Sequence, residues 1–158
     1  MFPSHRLGFD ARWILAAAIA GTIVVDQITK WLAIHALSSG PVAIGGLRLH
    51  LVANRGILLG FPAPASLIVL ATVGVVVMAL RSTDGSRLTT ATGYGLLAGG
   101  ALGNLADRLQ SRQFFPAGAV VDWISVGRIT FNLADVFLVA GVAMLLLLKE
   151  PRDSARAD

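Results

Sequence analysis

The residues with the most chemical potential lie between Val120 and Asp135: Val120-Val121-Asp122-Trp123, a short connection, then Phe131-Asn132-Leu133-Ala134-Asp135. Two carboxylates stand in strongly apolar surroundings, the second just inside the last long hydrophobic run, residues 131–148. An ionised carboxylate held away from water costs several kcal/mol or more unless something compensates it. If Asp122 and Asp135 face one another, repulsion and desolvation raise one pKa, and the pair can hold a single proton between them. Two carboxyl groups in that state can activate a water for attack on an amide carbonyl. The sequence therefore points to a hydrolase whose carboxylates work inside or at the edge of a membrane.

Composition sets the solvent. The chain has 158 residues, of which 55% are hydrophobic and 14% charged, with a mean hydropathy of +0.73. Soluble domains carry about 25% charged residues, so this reads as one compact membrane domain. The net charge of +4 comes from basic residues scattered singly and in pairs, with no basic stripe, which argues against nucleic-acid binding. There is no cysteine, hence no disulfide framework, thiol nucleophile or thiolate metal site. His5, His35 and His50 have no ligand spacing, so metal catalysis is not expected, and the two-carboxylate chemistry needs no other cofactor.

Four apolar segments position the polar residues. The first, 13–34, is long enough to cross a bilayer core, which needs about 20 residues. Ala18-Ile19-Ala20 resembles a cleavage site, but the apolar run continues beyond it, so an uncleaved helix is expected. Within it Asp26 and Lys30 are i,i+4, able to pair, and read equally as an ion pair near the interface or as groups that meet a substrate. Gly40-Pro41 and Gly45-Gly46 mark turns, and the alternation from Leu47 to Val52 predicts a strand that forms a small β-ribbon with Val42 and Ile44. Arg48 and His50 fall on its wet face. Residues 57–61 are apolar but too short to span.

The second segment, 65–80, is featureless and reads as lipid-facing scaffold. A polar loop with Asp84-Gly85 leads to the third, 91–109, which is rich in glycine. Gly99 and Gly103 form a small-xxx-small step for close helix approach. Asn104 and Arg108 share a face, and an Asn one turn inside a span must hydrogen-bond to something. Asp107 lies one residue off that face and reads as the solvated end of a packing helix. The fourth segment, 131–148, has Asn132 and Asp135 at i,i+3 in its first turns, and residues 149–158 form a polar tail. Four spans put both termini on one side. Arg6, Arg12, Arg81, Arg87, Lys149, Arg152 and Arg156 then lie on the terminal side, against Lys30, Arg48, Arg55, Arg108, Arg112 and Arg128. This slight positive-inside bias does not decide the orientation alone. Because most of the second group lie beside the polar motifs, where a functional role can hold them against the bias, the termini are assigned to the cytoplasm and the conspicuous Asp and Asn residues to the outer side.

Asp26-Gln27-Ile28-Thr29-Lys30, Asn54-Arg55-Gly56, the stretch from Gly99-Gly100 to Gly103-Asn104 and Asp107-Arg108, Val120-Val121-Asp122-Trp123, and Phe131-Asn132-Leu133-Ala134-Asp135 resemble, in order, the five motif blocks of the bacterial lipoprotein signal peptidases, signal peptidase II. The resemblance implies a membrane all-α fold of four transmembrane helices with a periplasmic β-cradle between helices 1 and 2. It implies an aspartic endopeptidase of the inner membrane that cuts diacylglyceryl-modified prolipoproteins just before the lipidated cysteine, at the outer face. Membrane lipid and cyclic peptide inhibitors of the globomycin type are further implied partners. Asp122 and Asp135 would be the catalytic dyad, oriented by Asn104 and Asn132. Asn54 and Arg108 would contact the substrate backbone, and Asp26, Gly100 and Ala134 would support the site. The chain departs from the family pattern at Ile57-Leu58-Leu59 and at Arg128-Ile129-Thr130, both in outer loops near the cleft.

Three rival readings differ in class. A Ser/Lys peptidase would use Lys30 with Ser38 or Ser39; a proton-coupled carrier would use the intramembrane carboxylates; a non-catalytic relative would bind lipidated peptides without cutting them.

Overall fold

The computed structural model describes residues 11–56, 63–82 and 88–147. They form α1 (Ala11–Ala36), β1 (Val42–Ile44), β2 (Leu47–Asn54), α2 (Ala65–Ser82), α3 (Leu88–Leu109), β3 (Val120–Val126), β4 (Ile129–Phe131) and α4 (Leu133–Leu147). The apolar stretch at 57–61, the Asp84-Gly85 turn, Leu148 and the polar tail lie outside the described residues.

Helix α3 is the central element, packed between α1 and α4 and also touching α2. Its glycines allow this. A Cβ on Gly95 would sit 2.3 Å from Ala18 Cβ, one on Gly99 2.6 Å from Thr22 Cβ, and one on Gly103 2.7 Å from Asp26 Oδ2. Steps of four residues thus run in parallel on both helices, bringing the backbones together as small-residue interfaces do. Toward α4, a Cβ on Gly100 would meet the Ala134 carbonyl at 2.6 Å. Away from these contacts the helices are apolar and exposed: Trp13, Leu70, Leu146 and Leu147 are 71, 68, 70 and 81% accessible. Such a surface seeks a hydrocarbon solvent. By length and composition α1 qualifies as a membrane span, while Ser66–Ser82 and Leu133–Leu147 are shorter apolar helices.

The ribbon expected between the first two helices is half of a larger sheet, and this corrects the sequence expectation. The four strands run antiparallel in the order β1-β2-β3-β4, so β3 and β4, from between α3 and α4, complete it. Val120 to Val126 is rich in β-branched and aromatic residues, and Gly127-Arg128 turns it back, with Val126 opposite Ile129. Gly45 and Gly127 open the two tight hairpins at φ +58° and +60°, where a two-residue turn needs a residue without Cβ. Phe131 consequently belongs to β4 rather than to the last helix, which begins at Leu133. Ile34 of α1, Phe115 and Val121 form a small core that fastens the sheet to the helix ends, with Leu51 against it.

Candidate active site

Asp122 reaches the site from β3 and Asp135 from the first turn of α4, so a strand and a helix meet there. Asn132 explains the join. Its backbone N–H donates to Asp135 Oδ2 at 3.4 Å, while its Oδ1 accepts from the Asp135 N–H at 3.1 Å. This reciprocal arrangement is a capping box with Asn and Asp in its two roles, and it fixes Asp135 at the helix N-terminus.

Both carboxyl groups are buried, at 1 and 3% exposure, and amide groups surround them. Asn132 Nδ2 donates to Asp122 Oδ1 at 2.6 Å, and Asn54 Nδ2 donates to Asp122 Oδ2 at 2.8 Å. Asn104 Nδ2 donates to Asp135 Oδ1 at 2.9 Å. Burial, and then the charge of Asp135, push the Asp122 carboxyl up to about 7, against the opposing pull of Asn54 and Asn132. Asp122 therefore titrates near neutrality rather than near 3.8. That is the behaviour required of a pair sharing one proton.

Behind the pair lies a second layer. Lys30 Nζ is fully buried and donates to Asp26 Oδ2 at 2.8 Å and to Asn104 Oδ1 at 2.9 Å, with Asp107 Oδ2 also at 2.8 Å. Asp26 Oδ1 in turn accepts from the Ala134 N–H at 3.0 Å, which ties α1 to the start of α4. The expected Asp26–Lys30 pair forms, and it lies fully buried behind the carboxylates. Asn104 finds partners on three sides: Lys30, Asp135 and Asn132. Arg108 donates from Nη1 to the Asn104 carbonyl at 3.0 Å and from Nη2 to the Gly56 carbonyl. The Asn54 side chain, expected at the substrate backbone, is bound to Asp122 and accepts from the Gly56 N–H at 2.7 Å.

Asp107 corrects the sequence reading. It is 1% exposed rather than solvated, and it pairs with Lys30 and with Arg112 Nη2 at 3.0 Å. It also accepts from Gln27 Nε2 at 3.1 Å and from the Val121 N–H at 3.2 Å. The physical reason lies after the helix: the chain turns back past Arg112 and brings β3 over the end of α3, covering a group that the linear sequence leaves at a helix terminus. Gln27 donates to Asp26 and Asp107 and accepts from Arg112, a bridging role that the sequence reading does not assign to it. Spacing held a signal for both, because Gln27 stands beside Asp26, and Arg112 follows Asp107 closely enough to fold back.

The Ser/Lys alternative fails on the same geometry. Three oxygen acceptors surround the Lys30 ammonium, while Ser38 is exposed and donates to the His35 carbonyl. Arg48 is exposed as expected, but His50 is half-buried, its Nδ1 3.4 Å from Ser125 Oγ. Among the described residues no group of three or more His, Cys, Asp or Glu gathers in a way that could hold a metal ion. A cavity of about 650 Å³ opens between α2, α3 and α4, walled by Ile68, Val75, Leu97, Leu138 and Val142, with Asn104 and Arg108 as its polar end.

A helical, largely apolar scaffold carrying an antiparallel sheet, with two buried carboxyl groups held by amides where sheet and helix meet, defines a membrane enzyme of the aspartic peptidase class. A family model described as signal peptidase (SPase) II matches residues 18–149, and the chain belongs to that family. It is 36% identical over 141 residues to the lipoprotein signal peptidase of Bifidobacterium longum strain DJO10A, covering 85% of this chain and 78% of the relative. The Leifsonia xyli subsp. xyli lipoprotein signal peptidase is 39% identical over 159 residues, covering 92 and 71%. The Caulobacter vibrioides enzyme is 36% identical, with 85% coverage of both chains. A bacterial membrane enzyme solved by the in meso method at 2.3 Å shares the fold, with a TM-score of 0.71 and 23% identity over 91% of this chain and 93% of the other.

Proposed function

We propose that this chain is a lipoprotein signal peptidase in which Asp122 and Asp135 cleave the signal peptide of diacylglyceryl-modified prolipoproteins just before the lipidated cysteine. The observation that carries the reading is the pair of buried carboxyl groups, each met by amide N–H donors. Such donors accept no proton, so a proton shared by the pair is left to face the substrate and its water. One ionised carboxylate takes a proton from the attacking water, and the protonated partner hydrogen-bonds the carbonyl oxygen as it becomes negative. Charge balance agrees. Asp26, Asp107, Asp122 and Asp135 share the buried region with Lys30, Arg108 and Arg112, so one proton on the pair leaves the cluster neutral.

The cavity between α2, α3 and α4 receives the apolar signal segment, whose scissile bond then lies at the Asn104 and Arg108 end beside the dyad. In this reading all four helices span the inner membrane, the termini are cytoplasmic, and the sheet lies at the periplasmic face. A globomycin-type cyclic peptide would compete for the same cavity. The deciding test uses the protein in detergent with a diacylglyceryl-modified prolipoprotein and with its unlipidated precursor, read by gel shift. Cleavage of the lipidated form alone is expected. Binding without turnover would instead identify a non-catalytic relative.

The pH dependence has a defined sign. The active pair holds one proton; Asp122 releases its proton as pH rises through about 7, leaving two ionised carboxylates and no donor for the carbonyl oxygen. Turnover is expected to fall on the alkaline side of about pH 7 while substrate binding persists. A rate that stays flat from pH 7 to about 9 in a stopped-time assay would contradict this assignment.

A further inference from the structure

Lys30 belongs to no step of the chemistry above, yet it is fully buried and within hydrogen-bond distance of one of the amides that hold the dyad. We infer that Lys30 is a positioning residue for the dyad: its ammonium fixes the Asn104 amide with the oxygen turned inward and the NH₂ group turned to Asp135. This rests on the peptidase reading and names a further residue that the reaction requires.

An ammonium group donates and never accepts. The Asn104 atom 2.9 Å from Lys30 Nζ must therefore be the oxygen. Asn104 can then present only N–H to Asp135, as the 2.9 Å contact to Asp135 Oδ1 requires. Asn132 Nδ2 also donates to that oxygen, at 3.1 Å, but a charge-assisted bond is roughly twice as strong as a neutral one. Asn132 is oriented separately, since its own oxygen accepts from the Asp135 N–H. The two amides thus have independent locks. Lys30 is itself held by Asp26 from its own helix and Asp107 from α3.

Without Lys30, Asn104 keeps only the neutral donor. It can then flip and offer its oxygen to a protonated Asp135, trapping the proton the reaction must share. The charges facing this position are Asp26 on α1, Asp107 and Arg108 on α3, Arg112 beyond it, Asp122 on β3 and Asp135 on α4. Lys30 contributes a positive charge felt by Asp122, and its loss acts there in the same direction as the flip.

Lys30→Met alone strips Asp26 of its counter-charge, so the informative variant is the charge-balanced Lys30→Met/Asp26→Asn, in which Arg112 still pairs with Asp107. Relative to wild type, kcat on the lipidated precursor is expected to fall at least about tenfold with KM within about threefold. The acid limb of the kcat profile is expected to move up by about one pH unit. In the same detergent samples, without substrate, the carboxyl ¹³C titration of the dyad, read at Asp122, should move with it. A folded double variant with the wild-type profile and titration would overturn the inference, as would one that fails to fold. If wild type does not cleave but the titration moves, the positioning role stands and the peptidase reading falls.

Discussion

Asp122→Asn and Asp135→Asn are each expected to lower cleavage of a diacylglyceryl-modified prolipoprotein by about 1,000-fold or more, with the chain still folded and still binding substrate. Loss of one positioned acid or base costs about 10²–10⁴ in rate, and neither remaining residue can take over both roles. Asparagine keeps the shape and one oxygen, so Asn54 and Asn132 lose one acceptor at Asp122 rather than their packing. Stability should separate from activity. Folded Asp122 keeps a proton up to about 7 that the unfolded chain releases near 3.8. The fold's advantage from this group is therefore complete below about 3.8 and is lost as pH rises through about 7. Asp122→Asn removes that loss, so at alkaline pH the variant should unfold at a higher denaturant concentration than wild type. Retained cleavage in either variant would remove that residue from the dyad. A variant that is inactive because it is unfolded would show the same loss at every pH and no substrate binding.

Much of this was legible in the chain because the strongest signals are local. The i,i+4 spacing of Asp26 and Lys30, the Gly99 to Gly103 step, and an Asn one turn inside an apolar helix each force a short list of outcomes, and each of those outcomes is present. Asn132 and Asp135 at i,i+3 foretold a shared direction, though their capping role followed only from where α4 begins. The second half of the sheet was hidden. Val120 to Val126 supplies β-branched residues, but its role depends on pairing with β2, a register far away in sequence, with Val52 opposite Asp122 and a bulge between Leu49 and Val52. That pairing places the Asn54 side chain on Asp122. The second carboxylate layer was hidden for the same reason. Burial is a property of what covers a residue, and Asp107 is covered by a strand that begins after a loop.

Asp107 therefore gives the sharpest stability test. A solvated carboxylate at a helix end can be replaced at a cost within about 0.5 kcal/mol. The buried Asp107 instead satisfies four donors: the Lys30 ammonium, the Arg112 guanidinium, Gln27 Nε2 and the Val121 N–H. Removing one partner of a buried ion pair costs about 3–5 kcal/mol, because the charge left behind has lost both water and counter-ion. Arg112 is partly exposed, at 17%, so water can screen some of its share. Lys30, at 0%, has no such relief from water, although Asp26 remains as its counter-ion. Asp107→Ala is therefore expected to destabilise the fold by about 3 kcal/mol, the low end of that range, in reversible denaturation in detergent. Asp107→Asn, which retains an oxygen for Lys30 or Val121, should lose less. The loss should also reach the dyad, since Val121 precedes Asp122 on β3 and its N–H is anchored on Asp107. An Asp107→Ala protein as stable and as active as wild type would mean that the sheet does not close over α3 in the folded enzyme.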